Sequence, residues 1–157
     1  MISSHEMRRR VEIQGYAGLS DADLRALGPG FRFTPALNAL LVAAGTLTGS
    51  LRLLLLTAFL MGLGATFPLH PFDWIYNRTL ARLRKARPLP PSGPRRRFVF
   101  AIGCWWLLVA AGLSALGYFA AAFVMGCLMT AAALLAALFH ISVASEILGK
   151  FLPASRK

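Results

Sequence analysis

The sequence predicts an all-α integral membrane protein in which four transmembrane helices form two hairpins, joined by a basic interfacial helix and a proline-rich loop. Of its 157 residues, 57% are hydrophobic and 15% are charged. Soluble domains contain roughly half apolar and about a quarter charged residues. The apolar residues also lie in long runs that basic segments separate. Composition and pattern together therefore indicate a chain that crosses a lipid bilayer.

Residues 1 to 32 are polar and predict a cytoplasmic N-terminal arm with one short helix. Ser20 followed by Asp21 and Asp23 is typical of a helix start, because a hydroxyl caps free N–H groups and carboxylates favour the positive end of the helix dipole. The Gly-Pro-Gly sequence at 28 to 30 predicts that this helix ends there.

The first apolar region, residues 33 to 68, predicts a hairpin of two short helices that meet at Gly49 and Ser50. A single bent helix would place Arg52 in the middle of the membrane, which costs about 2.5–3.5 kcal/mol. In a hairpin, Arg52 instead lies at the outer interface, where its side chain reaches water. The hairpin is therefore the preferred prediction.

Residues 69 to 97 predict an interfacial helix followed by a basic, proline-rich loop. Tryptophan and tyrosine favour the headgroup level of a bilayer, and basic side chains are attracted to anionic lipids. The four prolines between residues 88 and 94 predict an extended, solvated connection. The residues predicted to contact lipid or a partner protein are His70, Phe72, Asp73, Trp74, Tyr76, Asn77, Arg78, Arg82, Arg84 and Lys85.

Residues 98 to 148 predict the second hairpin, with its turn at 113 to 117, and residues 149 to 157 form a basic C-terminal tail. The last helix is rich in small residues, which allow helices to approach closely in lipid. The predicted helix–helix contacts are Ala122, Gly126, Trp105 and Trp106.

The distribution of basic residues predicts the orientation in the membrane. All of the 17 Lys and Arg residues except Arg52 lie on one side of the predicted spans. Because positive loops remain in the cytoplasm, both termini are predicted to be cytoplasmic in a bacterial inner membrane. The net charge of +11 then indicates contact with anionic lipids. Nucleic acid is excluded as a partner because no aromatic-basic binding module accompanies the charge.

Few residues are candidates for chemistry, and no metal site is predicted. His70 and Asp73 lack a third ligand, so the favoured interpretation is that Asp73 caps the helix or pairs with a nearby arginine while His70 and Pro71 fix the turn. His140 lies in the last predicted helix and is a candidate ligand for a haem or pigment, although a hydrogen bond to a backbone carbonyl is the simpler role. No other cofactor is expected.

Three further side chains lie within the predicted spans. Cys104 and Cys127 are interpreted as small buried apolar residues, and Asn38 is a candidate for a hydrogen bond between helices.

The string from His70 to Asn77, with Leu89-Pro90-Pro91 and Arg96-Arg97-Phe98 after it, resembles a family of small bacterial membrane proteins of unknown function. In that family two hydrophobic hairpins flank a His-Pro-Phe-Asp loop. The resemblance covers roughly residues 34 to 150 and implies the fold but no activity. Some relatives carry cysteines near the end of the last span, whereas residues 139 to 145 contain none here, which argues against a thiol-redox role for this chain.

Abundant helix-contact surface without a catalytic set predicts a non-catalytic accessory or structural subunit, or an assembly factor, of a larger bacterial membrane complex. Photosynthetic reaction-centre or antenna assemblies and respiratory complexes are the expected setting, and their subunits are the expected partners. The alternative is a small oligomeric transporter or channel, which would need polar residues at membrane depth. The sequence does not predict an enzyme.

Overall fold

The computed structural model describes residues 20 to 83 and 87 to 139, and within these residues the chain forms helices and no β-strand. The prediction of an all-α fold is thus confirmed for the described residues. The helices are α1 (Asp21–Leu47), α2 (Leu51–Thr66), α3 (Pro71–Arg78), α4 (Leu80–Leu83), α5 (Pro94–Ala115) and α6 (Phe119–Phe139).

The four long helices α1, α2, α5 and α6 form a bundle in which each helix packs on two neighbours. α1 contacts α2 and α6, and α5 also contacts α2 and α6, so the first and last helices close the ring. Short turns make neighbours in the chain antiparallel, as in up-down-up-down bundles. The core between the helices is apolar and consists of Val42, Leu54, Ala58, Met61, Leu107 and Ala111.

The two predicted turns lie where the sequence placed them. Gly49 and Gly117 have φ values of 62° and 85°, a left-handed conformation that glycine adopts without a steric penalty. The Ser50 hydroxyl then caps α2 by accepting a hydrogen bond from the Leu53 N–H.

α1 corrects the prediction that a short helix ends at Gly28. Ser20 and Asp23 form the expected capping box, but the helix then continues through Gly30 to Leu47. A Cβ atom on Gly30 would lie 2.8 Å from side-chain atoms of both Tyr76 and Leu89. The glycine is therefore a point of close packing, and burial of the large side chains around it, Leu27, Phe31, Tyr76 and Leu89, outweighs the roughly 1 kcal/mol that Gly30 and the roughly 3 kcal/mol that Pro29 cost in a helix.

A second apolar core, which we call the end core, lies where α3, α4 and the proline-rich loop pack on the first half of α1. Its members are Leu27, Phe31, Tyr76, Ala81 and Leu89. The boundary predicted between an arm ending at residue 32 and a first hairpin therefore lies inside α1. The physical reason is that the arm supplies part of this core.

α6 has its small residues inside and its large apolar residues outside. Ala122, Gly126 and Ala133 are buried, whereas Phe123 and Leu128 are about half exposed. Large apolar side chains on the outside are unfavourable in water, because burying each one is worth about 1.5–3 kcal/mol. This arrangement indicates an apolar environment around the helix.

The lengths and apolar composition of the helices indicate a membrane protein, but they establish fewer membrane spans than the four that the sequence predicts. α5 and α6 are each long and apolar enough to cross a bilayer, and α2 with α3 and α4 would make a third span if this pair, bent by 81°, counts as one. α2 alone has 16 residues, which gives about 24 Å against a hydrocarbon core of about 30 Å. Four transmembrane helices are thus not confirmed.

Candidate functional site

The segment between α2 and α3 places two titratable side chains inside the protein. The Nδ1 atom of His70 accepts a hydrogen bond of 3.2 Å from the Phe72 N–H, and Pro71 occupies the first position of α3. This is the turn-fixing role predicted for His70 and Pro71. Asp73 lies in the first turn of α3, and both His70 and Asp73 have an exposed fraction of 0%.

Asp73 is the centre of a group that we call the polar cluster: Thr34, His70, Asp73, Ser92 and Arg96. The Thr34 hydroxyl donates a hydrogen bond of 2.6 Å to Oδ1 of Asp73. Arg96 donates from Nη2 to the same oxygen at 3.1 Å, and its Nη1 lies 2.8 Å from Oδ2. Nη1 also donates to Ser92 Oγ at 3.1 Å. The cluster therefore joins α1, α3, the proline-rich loop and α5 through one carboxylate.

Burial controls the protonation of the two groups at the start of α3. It lowers the pKa of His70 to about 4, so the imidazole is neutral at pH 7. It raises the pKa of Asp73 to about 6, while the hydrogen bond from Thr34 acts in the opposite direction. Asp73 is thus ionised at neutral pH and forms an ion pair with Arg96, as the sequence interpretation of Asp73 allowed.

The His70 ring is enclosed by apolar groups. It lies 4.6 Å from the Phe100 ring and 5.2 Å from the Phe72 ring, measured between centroids. Its Nε2 is buried without a hydrogen-bond partner among the described residues. No group of three or more His, Cys, Asp or Glu residues that could hold a metal ion occurs in the described ranges. The site is a packed junction and not an open cleft.

The structure corrects the prediction that the whole motif from His70 to Asn77 faces lipid or a partner. His70, Phe72, Asp73 and Tyr76 are buried, because the face of α3 that carries them packs on α1 and α5. Trp74 and Arg78 lie on the outer face, where the Arg78 guanidinium is 4.8 Å from the centroid of the Trp74 ring. Arg82 is exposed, and Arg84 and Lys85 lie outside the described residues.

The proline-rich loop is non-helical, as predicted, but it is anchored at Leu89 and Ser92 and is therefore only partly solvated. Asn77 donates from Nδ2 to the Leu89 carbonyl at 3.2 Å and accepts from the Leu89 N–H at 2.7 Å. The Ser92 N–H donates to the Pro68 carbonyl at 2.6 Å. Leu89 and Ser92 are buried as a result. An asparagine side chain can satisfy both backbone groups of one residue, which explains why a loop rich in proline is fixed here.

The predicted helix–helix residues divide into an inner set and one outer residue. A Cβ on Gly126 would lie 2.1 Å from Oγ1 of Thr46, so α1 and α6 touch at this glycine, and Ala122 is buried one turn earlier. Trp106 donates from Nε1 to the Met125 carbonyl at 3.0 Å. Trp105 is 70% exposed on the outside of the bundle, so its predicted helix–helix contact would have to be with a helix outside the described bundle and stays a prediction.

The remaining candidates are dispersed. Cys104 is partly buried and Cys127 is exposed, so the prediction of two buried cysteines is wrong for Cys127. Asn38 is buried, and its Oδ1 has no hydrogen-bond partner among the described residues. His140, the candidate haem or pigment ligand, lies outside the described residues.

Sequence reasoning missed Thr34, Ser92 and Arg96 as parts of the site. In the sequence, Arg96 contributes to the charge count that predicts orientation and to the Arg96-Arg97-Phe98 motif, and neither indicates a contact with Asp73. One signal was available: Asp73 is the only acidic residue between Asp23 and Glu146, and a buried carboxylate requires a cation. The packing of α5 against α2 determines which of the neighbouring arginines forms the ion pair with Asp73, and the sequence alone does not show this packing.

The fold and the polar cluster define a small helical membrane protein whose helices are held at one end by a buried ion pair. The chain belongs to the family of the domain of unknown function DUF4395, whose profile matches residues 28 to 152. No curated protein matches the chain. No solved structure matches it either.

Proposed function

We propose that this chain is a non-catalytic accessory or structural subunit, or an assembly factor, of a larger complex in the bacterial cytoplasmic membrane. One observation carries the proposal: the polar side chains of the motif bind one another inside the chain, while the outer surface of the helices consists of large apolar side chains. Energy-transducing complexes are the first class of partner to examine.

The polar cluster supports a structural role. General acid–base catalysis requires a titratable group within hydrogen-bond reach of a substrate. His70 and Asp73 are fully buried; Oδ1 of Asp73 accepts hydrogen bonds from Thr34 and Arg96, and Oδ2 forms the ion pair with Arg96. The cluster fixes the first turns of α3 and α5 against the middle of α1, which is what a scaffold for partner helices needs.

The outer surface of α5 and α6 supports contacts with lipid and with partner helices. Trp105 and Phe119 are each 70% exposed. Large apolar side chains on a transmembrane helix pack equally well against lipid tails and against other helices. The exposed basic residues Arg78, Arg82 and Arg87 lie at the end that carries the polar cluster, which supports placing that end, and with it both termini, at the cytoplasmic surface.

Native electrophoresis of membranes solubilised in mild detergent tests the accessory role. We expect the chain in a band much larger than a dimer, and Trp105→Ala to weaken that band without changing the thermal stability of the purified chain. Leu116→Ala is the matched control, since this residue is exposed at the turn between α5 and α6. Migration only as a monomer or homodimer would contradict the proposal.

A small oligomeric transporter is the second candidate, and α1 supplies the observation that favours it. Asn38 and Thr46 are buried polar residues of α1, and neither Asn38 Oδ1 nor Thr46 Oγ1 has a hydrogen-bond partner in the described part of the chain. Polar groups at membrane depth are typical of transport pathways. Selective flux into liposomes that Asn38→Leu abolishes would favour this candidate over the accessory role.

A further inference from the structure

An apolar groove lies at the bend between α2 and α3, outside the polar cluster. It is lined by Phe67, Pro68, Leu69, Pro71, Trp74 and Ile75 and has a volume of about 470 Å³. The groove exists because the chain turns by 81° between the two helices, and two prolines hold the bend open. Its volume falls within the range of about 300–1,000 Å³ that small-molecule sites occupy.

Two arginines flank this groove. Arg97 donates from Nε to the Ala65 carbonyl at 2.9 Å and from Nη2 to the Thr66 carbonyl at 2.5 Å, which places its guanidinium beside the start of the groove at Phe67. The Arg78 guanidinium lies 4.8 Å from the centroid of the Trp74 ring, which forms part of the lining. Neither arginine forms an ion pair with a carboxylate among the described residues.

The two positive charges therefore remain available to an anion at the rim of an apolar groove. The partners of Arg97 are neutral carbonyls that use two of the five N–H donors of a guanidinium. Arg78 is exposed, and its contact with an aromatic face does not neutralise its charge. A ligand that fits must combine an apolar chain with a negatively charged headgroup.

We propose that this groove binds one anionic phospholipid, with an acyl chain against Phe67, Leu69 and Ile75 and the phosphate between Arg97 and Arg78. The half-exposed Trp74 belongs at the headgroup level, where tryptophan is enriched. A phosphate accepts several hydrogen bonds from guanidinium groups in the fork geometry that arginine provides. The inference rests on the proposed membrane placement and is independent of the accessory role.

Native mass spectrometry of the full-length chain, released from nanodiscs that contain phosphatidylglycerol or phosphatidylcholine, tests the inference. We expect one retained phosphatidylglycerol per chain and no retained phosphatidylcholine. Arg78→Gln with Arg97→Gln should weaken retention about thirtyfold, because each basic residue at an anionic surface contributes about fivefold. Arg52→Gln is the charge-matched control, since Arg52 lies at the opposite end of α2, and it should retain the lipid.

Two further variants separate the parts of the site. Because Arg97 also caps carbonyls of α2, the double variant could lose its fold as well as the lipid site. Arg78→Gln alone changes an exposed residue and keeps the test valid in that case. We expect Arg78→Gln to retain phosphatidylglycerol about fivefold more weakly than the wild type. Ile75→Ser removes part of the apolar lining and leaves both arginines in place, so it should reduce retention of phosphatidylglycerol through the acyl-chain contact alone.

Three outcomes would overturn the inference. Equal retention of phosphatidylglycerol and phosphatidylcholine would show that the two arginines do not select an anionic headgroup. Displacement of the lipid by inorganic phosphate would indicate a simple anion site. Cross-linking of an acidic protein helix to a photoreactive residue in place of Ile75, with no lipid retained, would assign the groove to a protein partner. A chain that retains phosphatidylglycerol but migrates as a monomer would contradict the accessory role alone.

Discussion

The ion pair between Asp73 and Arg96 should be the most sensitive polar contact in the described part of the chain. Removing one partner of a buried ion pair costs about 3–5 kcal/mol, because the other charge remains buried without compensation. Asp73→Ala removes the carboxylate that forms the ion pair with Arg96, a residue that is only 8% exposed. Each kcal/mol lowers the Tm of a chain of this size by about 2–4 °C, so Asp73→Ala should lower the Tm by about 6–20 °C.

The assay is thermal unfolding of the purified chain in mild detergent, followed by the fraction that remains monodisperse after heating. Asp73→Ala combined with Arg96→Met should be more stable than Asp73→Ala alone, because no buried charge is left. Arg87→Gln removes the exposed ion pair with Asp23 and should shift the Tm far less. A shift for Asp73→Ala no larger than that for Arg87→Gln, or a double variant equal to the sum of its parts, would refute the reasoning.

Three other changes test separate features of the structure. Gly126→Ala should cost about 1–3 kcal/mol by overpacking against Thr46, whereas Gly112→Ala, where a new Cβ meets nothing within 4 Å, should be neutral or stabilising by up to about 1 kcal/mol; chemical denaturation in detergent compares the two. Because burial lowers the pKa of His70 to about 4 from 6.5, its neutral form contributes stability above pH 6.5 that is lost as the pH falls toward 4. Because burial raises the pKa of Asp73 to about 6, the contribution of Asp73 to stability increases as the pH falls through the same range. The measurement is therefore the difference in Tm between the wild type and His70→Gln, which should become smaller on acidification. A difference in Tm that does not change with pH would refute the prediction for His70. In a cysteine-free background, a cysteine at the exposed Pro91 should be protected from an impermeant thiol reagent in intact cells while one at the exposed Thr48 is labelled; the reverse pattern would invert the proposed orientation.

The sequence predicted the features that depend on local chemistry and composition. The helical class, the turns at Gly49 and Gly117 and the cap at Ser20 follow from hydrophobic runs, left-handed glycine and hydroxyl capping, and each lies where it was expected. These features were accessible because the residues that determine them are neighbours in the chain.

The predictions that were wrong concern features that depend on contacts between residues distant in the sequence. The Gly-Pro-Gly sequence predicts a helix end at Gly30, but Tyr76 and Leu89 pack closely against this glycine. The composition of residues 70 to 77 predicts one contact surface, although the helical period divides the segment into an inner face with Asp73 and an outer face with Trp74. Local propensity cannot identify such partners, because tertiary packing overrides it.

The closure of the bundle between α1 and α6 has a consequence for biosynthesis. Among the described helices, the first to be synthesised packs on the last, with Thr46 against Gly126. During translation the face of α1 that carries Thr46 therefore remains uncovered until α6 has been made. The two hairpins are therefore not independent folding units, since contacts distant in sequence form late. A chaperone or insertase that shields this face of α1 would have to act on the nascent chain in the interval before α6 is made.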